Sequence, residues 1–220
     1  MKIEYIGHSC FVISYQNHNI LIDPFISKNP MLKANLENFT PDLILVSHDH
    51  FDHVGDTESI AKANNSTVVC ENALGEKLKE KGLWVLSGTI GDTINYKGIE
   101  VTFVKAIHRS DNGIATGLII KTEEHTIYFA GDTDYFIEIK EIAENFKPDI
   151  AILPIGGVYT IDPKGAIEFL KELKPKFVIP MHYKTFMNLY GTPEQLQELI
   201  EKENLDIKQI TLDFGQSIEI

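Results

Sequence analysis

The segment SHDHFDHVGD, residues 47–56, contains three histidines and three aspartates and directly follows the apolar run Leu43–Val46. Imidazole and carboxylate groups are the ligands that divalent metals such as Zn²⁺ accept. Such groups are unfavourable to bury together unless a cation neutralises them. Because about three or four ligands hold one ion, a segment this rich indicates more than one ion. The alternative is a solvated polar loop that merely contains many histidines.

Further candidate ligands stand at the ends of other strand-like runs. His108 ends the predicted strand 99–107, Asp132 follows the run YFAG, and His182 follows the run FVIPM. A merely polar loop would not predict such residues elsewhere, whereas loops that gather at one edge of a sheet bring them together. The sequence therefore predicts a metal site with these candidate ligands: His48, His50, Asp52, His53, His108, Asp132 and His182.

The elements that must position these residues follow from hydrophobic patterning and turn signals. Strands are predicted over 2–6, 11–15, 19–22, 43–46, 67–70, 83–86, 93–96, 99–107, 114–121, 126–130, 149–154, 177–179, 207–212 and 217–220. Helices are predicted over 57–64, 72–81, 136–145 and 163–173, with another from the capping box at Thr192. The histidine-rich segment is predicted to be a loop.

The strands-then-helices order occurs once in each half, although no sequence repeat is visible. It predicts an α/β (α+β) chain, a four-layer αββα sandwich of two mixed sheets, and disfavours a doubly wound parallel sheet. No linker-like segment divides the chain, so residues 1–220 are predicted to form a single domain. Cys10 and Cys70 lie in apolar strand contexts and are expected to be buried thiols without a disulfide.

Composition narrows the classes of partner. The net charge is −12, from 32 acidic and 20 basic residues, which disfavours nucleic-acid binding. No apolar run approaches the roughly 20 residues of a membrane helix, and the first residues lack the pattern of a signal peptide. We expect a cytoplasmic protein that binds a small molecule and not a membrane.

The full motif series resembles the metallo-β-lactamase superfamily: HxHxDH at 48–53, a lone His108, Asp132 in a GDT context, and a final His182. Shorter segments, GHSCF at 7–11, PIGG at 154–157 and MHY at 181–183, look like its small metal-dependent hydrolases. That group includes the bacterial ascorbate-6-phosphate lactonase and the protein family UPF0173. The resemblance covers nearly the whole chain and implies the αββα fold.

The resemblance also implies a ligand assignment. His48, His50 and His108 would hold one divalent ion, Asp52, His53 and His182 a second, and Asp132 would bridge both. A water between the ions would lose its proton near neutral pH and act as the nucleophile. Zinc suits these donors best, and manganese, iron or nickel also fit. Relatives often form homo-oligomers.

Departures from other branches of the superfamily disfavour two of the reactions that those branches catalyse. Neither cysteine stands at the position of the ligand that zinc β-lactamases use, which disfavours β-lactam hydrolysis. His50 is retained where flavodiiron proteins have a carboxylate, which disfavours reduction of oxygen or nitric oxide. The leading hypothesis is a dinuclear metal-dependent hydrolase of lactones or phosphodiesters. A glyoxalase II-like thioesterase, a nuclease and a non-catalytic metal-binding protein are the alternatives.

Several residues outside the metal ligands are candidates for catalysis or support. The resemblance implies that His8 faces the metals as a donor; otherwise it is a core-edge histidine. Tyr183 and Lys184 follow His182, and Lys184 either binds a phosphate or carboxylate or is an ordinary surface lysine. Asp23 is expected either to support a ligand histidine or to form a turn with Pro24. The remaining predictions are pocket closure by Tyr159, N-capping by Asp162, structural roles for Asp49 and Asp56, and exposed turns at His18 and His125.

Overall fold

Two seven-stranded mixed sheets form the framework of the protein in the computed structural model, which describes residues 1–220. The chain divides into two compact units, each containing one sheet. Unit 1 comprises residues 1–89, 109–115 and 212–220, and unit 2 comprises residues 90–108 and 116–211. No helix in either unit combines the length and apolar character needed to cross a bilayer.

Unit 1 contains seven of the strands, which are numbered in chain order: β1 Lys2–Gly7, β2 Cys10–Tyr15, β3 His18–Ile22, β4 Leu43–Leu45, β5 Thr67–Glu71, β6 Trp84–Gly88 and β14 Gln216–Glu219. Its helices are α1 Phe51–Val54, α2 Thr57–Asn64 and α3 Asn72–Glu80, with a 3-10 turn at Leu36–Asn38. The strand order is β14-β1-β2-β3-β4-β5-β6. Pairing is antiparallel from β14 to β3 and parallel from β3 to β6.

Unit 2 has the same arrangement, with strands β7 Thr93–Tyr96, β8 Ile99–Lys105, β9 Thr116–Lys121, β10 Thr126–Phe129, β11 Ile150–Pro154, β12 Phe177–Met181 and β13 Lys208–Gln209. Its helices are α4 Ile139–Phe146, α5 Pro163–Leu173 and α6 Pro193–Lys202. The order is β13-β12-β11-β10-β9-β8-β7, antiparallel from β7 to β10 and parallel from β10 to β13. The predicted repetition of element order is therefore present in the two sheets.

Parallel strands explain where the candidate ligands stand. Every residue of β4 and β11 is buried, as expected of strands covered on both faces. Within a unit, the carboxyl ends of neighbouring parallel strands lie at one sheet edge. In unit 1 the chain leaves β3 at Asp23 and β4 just before Ser47 and His48; in unit 2 it leaves β10 before Asp132 and β12 before His182.

Local signals predicted several element boundaries residue for residue. Helices α2 and α5 and strand β7 have the predicted limits. The Asp162 carboxylate accepts hydrogen bonds from the N–H groups of Lys164 and Gly165 and so caps α5. Both hydrogen bonds of the capping box at the start of α6 are present.

Other predictions were wrong. The histidine-rich segment is not a loop throughout, because the N–H groups of His53 and Val54 both donate to the His50 carbonyl and form the single turn of α1. The predicted strand 207–212 has only two paired residues, and strand 99–107 ends at Lys105. His18 and His125 are half-buried and not exposed, since their Nδ1 atoms lie 3.9 and 2.6 Å from carboxylates of Asp42 and Asp149.

Both cysteines are buried free thiols, as predicted. Burial, aided by the charge of Glu71, raises the pKa of Cys70 from 9.0 to about 12. The folded state therefore keeps a proton that the unfolded chain loses above pH 9. Since the unfolded state then binds fewer protons, the free energy of unfolding must fall as pH rises from 9 towards 12.

We expect the contribution of Cys70 to the free energy of unfolding to decrease by about 1.4 kcal/mol per pH unit between pH 9 and pH 12. Urea unfolding of the wild type and of Cys70→Val at pH 8, 9.5 and 10.5 measures it. Cys10, whose buried thiol also has a raised pKa, is unchanged in the variant, so the difference in slope isolates Cys70. Equal slopes in the two proteins would contradict the prediction.

Candidate metal centre

Unit 1 collects four of the predicted ligands around the turn of α1. His48 and His53 are buried, and their ring centroids are 4.1 Å apart. His48 Nε2 lies 3.0 Å from His50 Nδ1. Donor atoms of Asp52, His53 and His8 all lie within 4.8 Å of one another. This unit thus presents imidazole nitrogens and a carboxylate within the range of shared coordination.

Asp23 and Ser47 fix the orientation of two of these histidines. Asp23 is fully buried, and its Oδ2 lies 2.7 Å from His53 Nδ1. Because a carboxylate only accepts hydrogen bonds, His53 carries its proton on Nδ1 and presents the Nε2 lone pair. Ser47 donates to Asp23 through both its N–H and its hydroxyl, at 2.8 and 2.7 Å.

The same network extends to His48. The Ser47 hydroxyl gives its proton to Asp23, so its oxygen can accept from His48 Nδ1 at 3.0 Å. With its proton on Nδ1, His48 then keeps the Nε2 lone pair available as a metal donor. Asp23 occupies the supporting position predicted for it, although its φ of 42° is unusual for a residue other than glycine. The supporting role of Ser47 was not predicted. The sequence feature that could have indicated it is a polar residue directly after a buried apolar strand.

His8 lies beside a predicted ligand. It is fully buried and its Nε2 is 3.2 Å from Asp52 Oδ2. Its backbone is left-handed, with φ of 59°, and the Tyr5 hydroxyl donates to its carbonyl at 3.0 Å. The ring contacts Phe25 edge-on at 5.5 Å. Within unit 1, the buried imidazole of His8 therefore pairs with the half-buried carboxylate of Asp52.

Asp49 and Asp56 have structural roles, as predicted. Asp49 accepts hydrogen bonds from Ser110 Oγ, the Asp111 N–H and Asn112 Nδ2. Burial by itself raises the pKa of Asp49, but these hydrogen bonds outweigh it and leave the pKa below its ordinary value. Asp56 begins α2 without capping it, since its carboxylate accepts from the N–H groups of Ile26 and Ser27.

Unit 2 brings its three predicted ligands together. Asp132 is 3% exposed, and its Oδ2 lies 3.2 Å from His182 Nε2 and 3.5 Å from His108 Nε2. Each comes from the end of a different strand: His108 follows β8, Asp132 follows β10, and His182 follows β12 with φ of 55°. Asp132 is the carboxylate that both imidazoles share.

The other candidates of unit 2 follow or neighbour His182. Tyr183 is buried, whereas Lys184 is exposed with its Nζ 5.6 Å from the centre of the Tyr183 ring. Tyr159 is 54% exposed and its hydroxyl accepts a hydrogen bond from Asn188 Nδ2. Asp162 is the cap of α5, as described. The catalytic roles predicted for Tyr183 and Lys184 stay predictions.

The donor sets of both units suit divalent metals. Closely spaced buried imidazoles cannot all be protonated without strong repulsion, and neutral imidazole is the form that binds metal. The Asp23–His53 contact is the carboxylate–histidine pair that commonly orients a metal ligand. Imidazole together with carboxylate is the donor chemistry of Zn²⁺, and Mn²⁺, Fe²⁺ and Ni²⁺ share it.

Comparisons with known proteins agree with this chemistry. The family model described as the beta-lactamase superfamily domain matches residues 2–182. A UPF0173 metal-dependent hydrolase of Methanosarcina barkeri is 36% identical, over 100% of this chain and 99% of the relative. Another from Thermoplasma acidophilum is 42% identical, over 90% of each chain.

A solved structure extends the similarity to the fold. Igni18, described as a novel metallo hydrolase from the archaeon Ignicoccus hospitalis, superposes with a TM-score of 0.93 at 33% identity. The match covers 99% of this chain and 97% of that one. The fold predicted from the motif series is confirmed.

Proposed function

The chain belongs to the beta-lactamase superfamily and to its UPF0173 group of metal-dependent hydrolases, and from this premise we propose that it hydrolyses an ester-type bond in a small molecule with two divalent ions. Lactones and phosphodiesters are the substrate classes proposed. The observation that supports the proposal is the set of buried and half-buried histidines and aspartates beyond strand ends in each unit, with Asp132 shared by two imidazoles.

We propose that zinc is the native metal and that all the predicted ligands bind it: His48, His50, Asp52, His53, His108, Asp132 and His182. Bound divalent ions would supply Lewis acidity, which activates a water and polarises the scissile group. Asp132 contributes the negative charge that holds His108 and His182 in place. Asp23 accepts the hydrogen bond of His53 Nδ1, so the opposite ring nitrogen, Nε2, keeps its lone pair for the metal.

The residues beside the ligands would handle the proton and the substrate charge. His8, whose Nε2 lies 3.2 Å from the carboxylate of the proposed ligand Asp52, would hold a proton for the leaving group, as a general acid does. Lys184, with its exposed ammonium group, would pair with a phosphate or carboxylate of the substrate. Tyr183 supports Lys184 through the ring beneath its ammonium.

Initial rates on four substrate types test the proposal: an aliphatic lactone, a phosphodiester, a thioester and a β-lactam. Each is measured with metal-free, Zn²⁺-loaded and Mn²⁺-loaded protein. We expect metal-dependent turnover of the lactone or the phosphodiester and none of the β-lactam. Turnover of the thioester alone would replace the proposal with a thioesterase, and equal rates without metal would refute the metal-dependent mechanism.

A further inference from the structure

Four large apolar side chains are exposed on two short loops of unit 2. Val158 and Tyr159 lie in the loop 155–161, and Met187 and Tyr190 lie in the loop 182–191 that begins with His182. Their exposed fractions are 56%, 54%, 106% and 57%, respectively. Isolated exposed apolar residues are ordinary, but a cluster of them marks a binding surface. We call these two segments the paired loops.

The paired loops are fixed to each other. The N–H groups of Tyr190 and Gly191 both donate to the Gly156 carbonyl, at 3.0 and 3.2 Å. A Cβ atom at Gly156 would stand 2.1 Å from the His182 carbonyl oxygen, and one at Gly191 would stand 1.7 Å from the Ile155 carbonyl oxygen. This close backbone packing joins the exposed surface rigidly to a proposed metal ligand.

Hydrogen bonds also hold the two tyrosine rings. Asn188 Nδ2 donates to the Tyr159 hydroxyl at 2.7 Å, and the Tyr190 hydroxyl donates to Asp162 Oδ2 at 3.2 Å. With their hydroxyl groups bound to protein, the rings present apolar faces in fixed positions. Met187 adds a flexible thioether that adapts to varied shapes. The surface is therefore preorganised, which lowers the entropy lost when a ligand binds.

Charge separates this surface from the rest of the molecule. The protein carries a net charge of −12, yet the paired loops contain one charged residue, Lys184, and the Asp162 carboxylate at their border accepts the hydrogen bond of Tyr190. A polar ligand surface would need more such groups, whereas an apolar ligand requires their absence. The close packing of Gly156 on the His182 backbone places the paired loops beside a proposed metal ligand, and this favours part of the substrate as the occupant.

We infer that the paired loops bind an apolar acyl chain or ring of the substrate, an inference that rests on the proposed function for the bond cleaved. The substrate class is then an ester with a hydrophobic part and not a compact polar metabolite. A second copy of this chain or a lipid surface are the occupants that the test distinguishes from a substrate.

Methyl NMR of the metal-loaded protein with [¹³C]methyl-methionine tests binding directly. The chain has four methionines, and Met187 is the proposed reporter while Met31, 49% exposed in unit 1, is the matched control. We expect the Met187 methyl signal, assigned with Met187→Leu, to shift on titration with n-alkanoates from acetate to decanoate. Affinity should rise about two- to fourfold per methylene, and Met31 should not shift.

A second measurement uses 4-nitrophenyl alkanoates. The decanoate-to-acetate ratio of kcat/KM should exceed one in the wild type and fall about tenfold in Tyr159→Ser and in Met187→Ser, where less apolar surface is available. Trp84→Ser is the control, because Trp84 is 74% exposed on β6 in unit 1. Its ratio should equal that of the wild type.

Each contrary outcome has a distinct meaning. Alkanoate affinity that does not depend on chain length overturns the inference. So does a Met187 shift that follows protein concentration without ligand, which indicates a second copy, or one produced by neutral phosphatidylcholine vesicles alone. If alkanoates bind with the expected dependence but no ester is cleaved, the apolar subsite stands and the proposed ester hydrolysis fails.

Discussion

Asp132→Ala will reduce kcat/KM on the ester substrate at least about 10³-fold, a loss of about 4 kcal/mol of transition-state stabilisation. Asp132 Oδ2 lies 3.2 and 3.5 Å from the Nε2 atoms of His182 and His108, and the residue is 3% exposed. Alanine removes the one carboxylate that both imidazoles share. Metal content by elemental analysis should fall with the rate, because both proposed ions would lose an anionic ligand.

Asp149→Ala is the matched control for this experiment. Asp149 also contacts a histidine of unit 2, His125, at 2.6 Å, and it also lies beside β10. It is not among the proposed ligands, so its variant should keep wild-type metal content and kcat/KM. Circular dichroism on both variants separates loss of function from loss of fold. A metal-loaded, fully active Asp132→Ala would reject the assignment of Asp132 to the centre.

The sequence predicted which side chains come together beyond the strand ends better than it predicted the local structure around them. The proximity of Asp132 and His182, 3.2 Å apart, was predictable because each follows a buried apolar strand, and parallel pairing brings such strand ends to one sheet edge. Helix α5 had its limits predicted because Asp162 and Pro163 are strong local start signals. The turn of α1 had no such signal, since HDHFDH lacks apolar periodicity.

Features set by distant parts of the chain were not predicted. His18 and His125 were expected to be exposed because both stand in turns; their partners Asp42 and Asp149 lie 24 residues farther along the chain in each case. The Ser47 hydroxyl links Asp23 to His48, and this link was not predicted either. Asp23 lies close to Ser47 because β3 and β4 pair in parallel. Pairing of this kind is a property of the fold and not of either segment.

Asp23→Asn tests whether the contacts of Asp23 with Ser47 and His53 matter for function. The Asp23 carboxylate accepts hydrogen bonds from the N–H and hydroxyl groups of Ser47 and from His53 Nδ1. Each of these partners of its two oxygens is a donor. An amide must turn its NH₂ group towards one of them and lose that hydrogen bond. We expect metal affinity to fall about 10- to 100-fold, as is typical when the partner of a ligand histidine is removed.

A metal-activation curve separates this effect from a general loss of stability. For Asp23→Asn, the metal concentration that gives half-maximal activity should rise about 10- to 100-fold, with much of kcat recovered at saturating metal. Asp56→Asn provides the comparison, because Asp56 in the same unit also accepts backbone hydrogen bonds but contacts no histidine in its network. Its variant should unfold at lower denaturant concentration while its activation curve stays in place. If both variants shift the curve equally, the Asp23 carboxylate stabilises the loop and does not orient His53 for metal.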